Sequence, residues 1–161
     1  FREMEFAYGL RDEFFFRFFE KDENAIARLR AVAAQPSVYD EFIRSLAADG
    51  CDLPADLVNR DVTQPHEVNE AFVDDLHRVY ATPEDHYHWV LVFEALLDLD
   101  MLFSKFRSVH HLMVARTIGT QTGTGGSMGL KFLESRLGHR FFPELWIVRN
   151  RIYATDDEAG S

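Results

Sequence analysis

One run of sequence limits the folds open to this chain. From about His88 to Ile118 there is neither Pro nor Gly, and Leu, Val, Phe and Met dominate. Such a run predicts one long helix. Directly after it, Gly119, Gly123, Gly125 and Gly126 crowd into a loop with Thr120, Thr122 and Thr124, and Gly129 stands just beyond. No stretch elsewhere shows the alternation of a half-buried strand. The fold class read from the sequence is therefore all-α, a bundle with some long helices.

The long helix can be tested for faces. At about 100° per residue, His110 falls in line with Val92, Leu96, Leu99, Phe103, Phe106, Met113 and Val114. His111 falls with Asp100, Ser104 and Arg107. The expectation is that His110 points inward and His111 sideways. A buried imidazole needs a partner for each nitrogen. His110 is then either a core histidine bonded to a neighbour or a metal ligand facing an apolar, aromatic-lined cavity, as in a haem pocket. The loop after the helix brings backbone N–H groups and hydroxyls close to something polar or anionic. It lacks the Lys and the spacing of a nucleotide-binding P-loop.

The remaining helices follow from pattern and punctuation. Residues 1–33 read as mostly helix, with a greasy centre from Phe14 to Phe19 broken only by Arg17. Gln35-Pro36-Ser37 is a break. Asp40 to Asp49 reads as a short helix with Phe42, Ile43 and Leu46 as its apolar stripe, stopped at Gly50. Residues 50–66 read as loop. Glu67 to Tyr80 reads as an amphipathic helix with Val68, Phe72, Leu76 and Val79 inward. Thr82-Pro83-Glu84 reads as an N-cap with Pro at the first helical position. Leu130 to Leu137 reads as helix ended by Gly138, and the last helix runs from Phe142 to about Tyr153.

Size and charge narrow the function classes. A chain of 161 residues with 47% apolar content can bury one sizeable core. Fifteen Phe suit a core, a subunit interface or a flat hydrophobic ligand. A net charge of −10 argues against a nucleic-acid partner, which needs clustered Lys and Arg. No apolar run has the length of a membrane span. The single Cys51 rules out an internal disulfide and fits a reducing compartment. The expected location is the cytoplasm.

The run His110…Gly119…Gly123-Thr124-Gly125-Gly126-Ser127, with Phe142-Pro143-Glu144-Leu145-Trp146 and Val148-Arg149 downstream, resembles the tryptophan 2,3-dioxygenase superfamily. That superfamily also holds haem-dependent aromatic amino-acid hydroxylases. Pro36 to Phe42 and Gln64-Pro65 resemble further family landmarks, so the likeness covers most of the chain. It implies a helical domain binding haem b, with His110 as the axial iron ligand. It implies that Arg2, in a Phe-Arg-Glu segment, pairs with the substrate carboxylate. It implies that Thr124 holds the amino-acid end of the substrate, with Gly125 and, more weakly, Ser127. Taken alone, Arg2 is a solvated charge near a terminus and the glycines serve only turns. The catalytic distal residue of the family lies upstream of Phe-Arg-Glu. The expectation is a single haem-binding domain over residues 1–155, lacking an N-terminal segment with the distal pocket, and a disordered tail over 156–161.

Two departures from the family bear on the chemistry. Phe6-Ala7-Tyr8-Gly9-Leu10-Arg11-Asp12-Glu13 stands where dioxygenases carry a Ser-Pro-x-Ser-Gly-Phe-Gln-Ser-like loop, and it reads as plain helix. Ser127-Met128-Gly129-Leu130 stands where the family has Ser-Ser-Gly-Tyr. Both lie beside the expected substrate site. They favour ring hydroxylation of an aromatic L-amino acid, as in the tyrosine hydroxylase branch, over opening of the tryptophan indole to N-formylkynurenine. The oxidant is dioxygen or hydrogen peroxide. The rivals are a non-catalytic haem-binding bundle and a plain interaction domain. The Phe-rich first helix, apolar nearly all round, predicts a homo-oligomer, and the resemblance implies a dimer or tetramer.

Overall fold

The computed structural model describes residues 2–119 and 130–158. Among these, the regular elements are all helices, and no strand occurs. In chain order they are α1 (Arg2–Ala7), α2 (Phe14–Phe18), α3 (Glu23–Ala33), α4 (Val38–Ala48), α5 (Ala55–Val58), α6 (Glu70–Ala81), α7 (Tyr87–Ile118), α8 (Leu130–Arg136) and α9 (Pro143–Glu158). The residues gather into two compact units. One takes the chain as far as Val90 and again from Phe141; the other is Leu91–Arg140. No helix among the described residues is long and apolar enough to cross a membrane.

The first unit is built by caps as much as by apolar stripes. The segment read as mostly helix over residues 1–33 is helical in three separate pieces. α1 stops because Gly9 takes a left-handed conformation, φ +102°. Leu10 N–H then bonds to the Glu5 carbonyl at 2.9 Å and Gly9 N–H to that of Phe6 at 3.1 Å, a Schellman ending. The Asp12 side chain next takes the Phe14 N–H at 2.8 Å and starts α2. Asp22 caps α3 by accepting from Ala25 N–H at 3.0 Å. Four local hydrogen bonds interrupt the apolar pattern.

The later elements follow the sequence more closely. Ser37 and Asp40 form a capping box at the start of α4. The helix ends at Gly50, φ +89°, with Cys51 N–H on the Leu46 carbonyl at 3.1 Å. The stretch expected to be loop contains one helical turn, α5. Asn69 caps α6 through the Phe72 N–H at 3.0 Å. Phe72, Leu76 and Val79 are buried as predicted, but Val68 precedes the cap and is exposed. The expected cap at Thr82-Pro83-Glu84 is instead a separate turn, closed by Asp85 N–H on the Thr82 carbonyl, and α7 begins at Tyr87. α9 continues to Glu158, past the position where a tail was expected to begin.

The core of the first unit is aromatic. α6 packs on α9, α1 on α3 and α4 on α5. Phe42 meets Phe142 edge-on at 5.8 Å and lies 6.0 Å from Phe72. Phe6 meets Phe15 and Phe16 edge-on at 5.9 and 5.5 Å. The Phe-rich run is thus partly consumed inside the chain: Phe15 is buried, and Phe14, Phe16 and Phe19 are half-buried. Its expected role as an oligomer face does not follow from this packing.

The two helix endings separate conformation from space. Nothing lies within 4 Å of a Cβ built on Gly50, yet its φ is left-handed; Gly138 has equal room without that constraint. Gly50→Ala is expected to cost about 1–2 kcal/mol through backbone strain alone. Gly138→Ala should be neutral or mildly stabilising. Denaturant titration of both variants checks this; equal effects would refute the Schellman assignment.

Candidate functional site

α7 reverses the expected faces within the second unit. Asp100 is 0% and Arg107 4% exposed. Arg107 gives an N–H to the His139 carbonyl at 2.8 Å, and Arg140 gives one to Ser104 Oγ at 3.0 Å. This polar seam is the inner face. Leu102, Phe106, Val109, Leu112 and Met113 are exposed instead, at 49–65%. His110 is exposed with them. The inward orientation expected for His110 is therefore wrong. Helical periodicity groups residues on a face but does not say which face the rest of the chain covers, and here paired polar side chains claim the inside.

His110 keeps both ring nitrogens free of hydrogen bonds among the described residues. Its ring lies beside Phe106, with centroids 5.8 Å apart and planes 29° from parallel. His111 is turned inward, 17% exposed, with Nε2 3.5 Å from a Glu134 oxygen on α8. That contact is too poor to be a hydrogen bond, since Nε2 counts as buried without one. Of the two imidazoles, only His110 sits on an apolar shelf with an open nitrogen.

That arrangement fits a haem. The described His, Cys, Asp and Glu side chains are nowhere gathered in groups of three or more such as a bare metal ion needs. A porphyrin supplies four nitrogens itself and asks the protein for one axial imidazole and flat apolar contacts. His110, with Phe106 and Met113 on the same exposed arc, has this donor set.

None of the other expected site residues is described together with His110. Arg2 lies in the first turn of α1, in the first unit, whereas His110 belongs to the second. Thr124, Gly125 and Ser127 lie outside the described residues.

A buried polar cluster in the first unit carries much of that unit's electrostatics. Tyr39, on α4 and fully buried, gives its O–H to Glu144 Oε1 on α9 at 2.9 Å. The same oxygen accepts the Asn69 N–H at 3.2 Å, at the cap of α6. His66, between α5 and α6, stacks on Tyr39 with centroids 3.9 Å apart and planes within 10°. Asp40 accepts from the Ser37 N–H and hydroxyl and from Arg60. Burial pushes the Glu144 carboxyl up and the Tyr39 hydroxyl far up. Burial also works against Asp40, but Ser37 and Arg60 outweigh it and hold its carboxyl below the usual range. Burial, with Arg60 adding to it, takes His66 down to about 4. The ring is neutral at physiological pH.

Comparison with known proteins agrees with the resemblance. The family described as "Tryptophan 2,3-dioxygenase" matches residues 76–152, which include all of α7 and most of α9. A Bacillus cereus protein named "Tryptophan 2,3-dioxygenase" is 36% identical over 152 residues, 94% of this chain and 54% of the relative. Proteins of the same name from an Arthrobacter species and from Kineococcus radiotolerans are 38% and 40% identical over 152 residues, covering 54% and 53% of their lengths. Over 94% of its length this chain is similar to proteins of that name. It spans about half the length of the curated relatives it matches.

The structure connects landmarks that sequence alone leaves apart. Pro36 to Phe42, Gln64-Pro65 and Phe142 to Trp146 resemble the family in three separate places. In the first unit Tyr39, Asp40, His66 and Glu144 from those places, or next to them, join in one cluster. His66 lacks metal-ligand spacing, so sequence reasoning misses it. Its one signal is its position directly after Gln64-Pro65.

The cluster fixes a pH dependence. Unfolded, His66 takes a proton near 6.5; folded, only near 4. Between those values the unfolded chain binds the extra proton, so acid favours unfolding. The stability from keeping the ring neutral is complete above about pH 6.5 and falls by roughly 2 kcal/mol at pH 5. Glu144 acts the other way, since protonation relieves its burial. Asp40 loses its contribution only as pH falls through the acid range below its ordinary value. His66→Phe should therefore melt with a smaller drop between pH 7 and pH 5 than the unsubstituted protein. Equal drops would show that another group governs the acid limb.

Proposed function

We propose that this chain carries the haem-binding and substrate-carboxylate parts of a tryptophan 2,3-dioxygenase, using haem b and dioxygen to open the indole ring of L-tryptophan. The carrying observation is His110, exposed on the apolar arc of α7 just before the Gly- and Thr-rich loop. The relatives' names favour indole opening over the ring hydroxylation that the two departures favour from sequence. The reaction adds both oxygen atoms of dioxygen across the indole C2–C3 bond, which breaks to give N-formylkynurenine, with no other oxidant or reductant needed.

His110 would hold the cofactor iron through one ring nitrogen, leaving the other to donate its N–H and set the ring orientation. The haem supplies oxygen activation when bound. Phe106 and Met113 give the flat apolar contacts and keep water from that face. Arg2 would meet the substrate carboxylate with a planar fork, because an unpaired carboxylate in an apolar site costs several kcal/mol. Thr124 and the Gly125 N–H would hold the amino-acid end, with Ser127 in a lesser role. The exposed Leu102, Val109, Leu112 and Met113 exceed what one porphyrin covers, and we assign the surplus to contact between copies of the chain.

Three measurements test this reading. His110→Ala should lose the Soret band or change its spin-state signature, while His111→Ala retains it; equal loss in both refutes the assignment. Tryptophan turnover should give a product heavier by two oxygen atoms. A one-oxygen product, or turnover of tyrosine, would restore hydroxylation. Light scattering at micromolar concentration should give a multiple of the chain mass, and a monomer would remove the assembly assignment.

A further inference from the structure

The helix that carries Arg2 is held mostly from its C-terminal half, where Glu5 and Phe6 are buried. α1 has six residues, and a helix that short has no independent stability. Its anchors include the buried Glu5 and Phe6, an exposed ion pair from Glu3 to Arg28 on α3 at 2.8 Å, and its C-terminal turn, where Tyr8 stacks on Phe141 at 4.7 Å. Exposed ion pairs fix little. The turn is different. A Cβ at Gly9 would stand 2.9 Å from His66 Nδ1 and 3.1 Å from Ser37 Oγ. The turn is wedged between the buried Nδ1 edge of a half-buried imidazole and the cap of α4.

The wedge is itself fixed. His66 sits outside any helix, yet its ring lies flat on Tyr39, and the Tyr39 hydroxyl is tied to Glu144 on α9. Nδ1 faces the Gly9 turn without a well-formed hydrogen bond. The charged groups around the ring are Arg60, Asp40 and Arg11; Tyr39 is neutral, and Glu144 reaches the ring only through Tyr39.

We propose that His66 is a positioning residue for substrate recognition: wedged between Tyr39 and the Gly9 turn, it sets the end of α1 and through it the place of Arg2. This rests on the reading that Arg2 pairs with the substrate carboxylate. The lever is short. At about 1.5 Å of rise per residue, α1 spans on the order of 10 Å. A small tilt at its C-terminal turn therefore moves its first turn by a sizeable fraction of a hydrogen-bond length. Misplacement by about 1 Å is enough to cost on the order of a hundredfold in a positioned contact.

The test uses the full-length, haem-loaded protein and compares tryptophan with tryptamine, which lacks the carboxylate, by optical titration. His66→Ala removes the wedge, Gly9→Ala pushes against it, and His66→Phe restores a ring stacked on Tyr39. The first two should weaken tryptophan about tenfold or more, leave tryptamine within about twofold and leave the Soret band unchanged. His66→Phe should recover most of the loss. Tryptophan and tryptamine weakening together, or tryptophan unaffected in His66→Ala, would overturn the proposal. Arg2→Lys separates the two levels. If it leaves the tryptophan-to-tryptamine ratio unchanged, the carboxylate role of Arg2 is wrong and this proposal falls with it. If it lowers the ratio while His66→Ala does not, only the positioning role fails.

Discussion

The first unit depends on a buried carboxylate. Glu144 is 1% exposed and carries no cation beside it in its hydrogen bonding. Such a group stays buried only if donors surround it. The donors come from two other places in the chain: Tyr39 on α4 and the backbone of Asn69 at the cap of α6. One oxygen therefore fixes α9 against α4 and against the start of α6. The His66 ring extends that fixation to the turn after α1. Deleting either donor leaves desolvated charge behind, so the geometry is enforced by the cost of leaving it.

α7 is governed by the same rule with the opposite outcome. Its inner seam in the second unit is polar, and Asp100 and Arg107 are tolerated there because buried charge with partners is stable. That leaves the apolar arc facing out. An exposed arc of Leu102, Phe106, Val109 and Met113 is unfavourable in water unless something covers it. A flat cofactor and a second chain are two coverings of the right character, and on the proposed function His110 would hold the first of them.

Much of the helix plan is legible in the sequence, because caps and breakers are local. Gly50 and the C-terminal ends of α7 and α8 can be read from a few residues each, whereas the Ser37–Asp40 cap goes unread and α4 starts two residues before the expected Asp40. What escapes is decided by distance. The three-way break in residues 1–33 depends on Gly9 adopting a conformation that a Phe-rich run does not announce. The faces of α7 depend on Ser104, Arg107, His139 and Arg140 coming together, and no helical wheel contains His139. The cluster of Tyr39, His66 and Glu144 joins residues more than a hundred positions apart. On the candidate site, the sequence picks out His110 and the structure supplies the open nitrogen, while the loop with Thr124 falls outside the described residues.

The departures from the family can now be weighed as structure rather than as chemistry. By sequence, Leu10-Arg11-Asp12-Glu13 is part of a changed substrate loop. In place, Arg11 is 3% exposed and donates to the Gln35 carbonyl, and Asp12 accepts the Phe14 N–H just ahead of α2. Burial lowers the Arg11 guanidinium, while Asp40 and Asp61 favour its charge. These residues therefore act on the scaffold: Arg11 ties the α1–α2 connection to the end of α3, and Gly9 lets α1 stop. A substitution absorbed by the scaffold carries no information about which ring is oxidised. This stretch is one of the two departures that favour hydroxylation. With that departure accounted for by packing, what remains is Ser127-Met128-Gly129-Leu130 alone, four residues set against relatives 34–40% identical over nearly the whole chain.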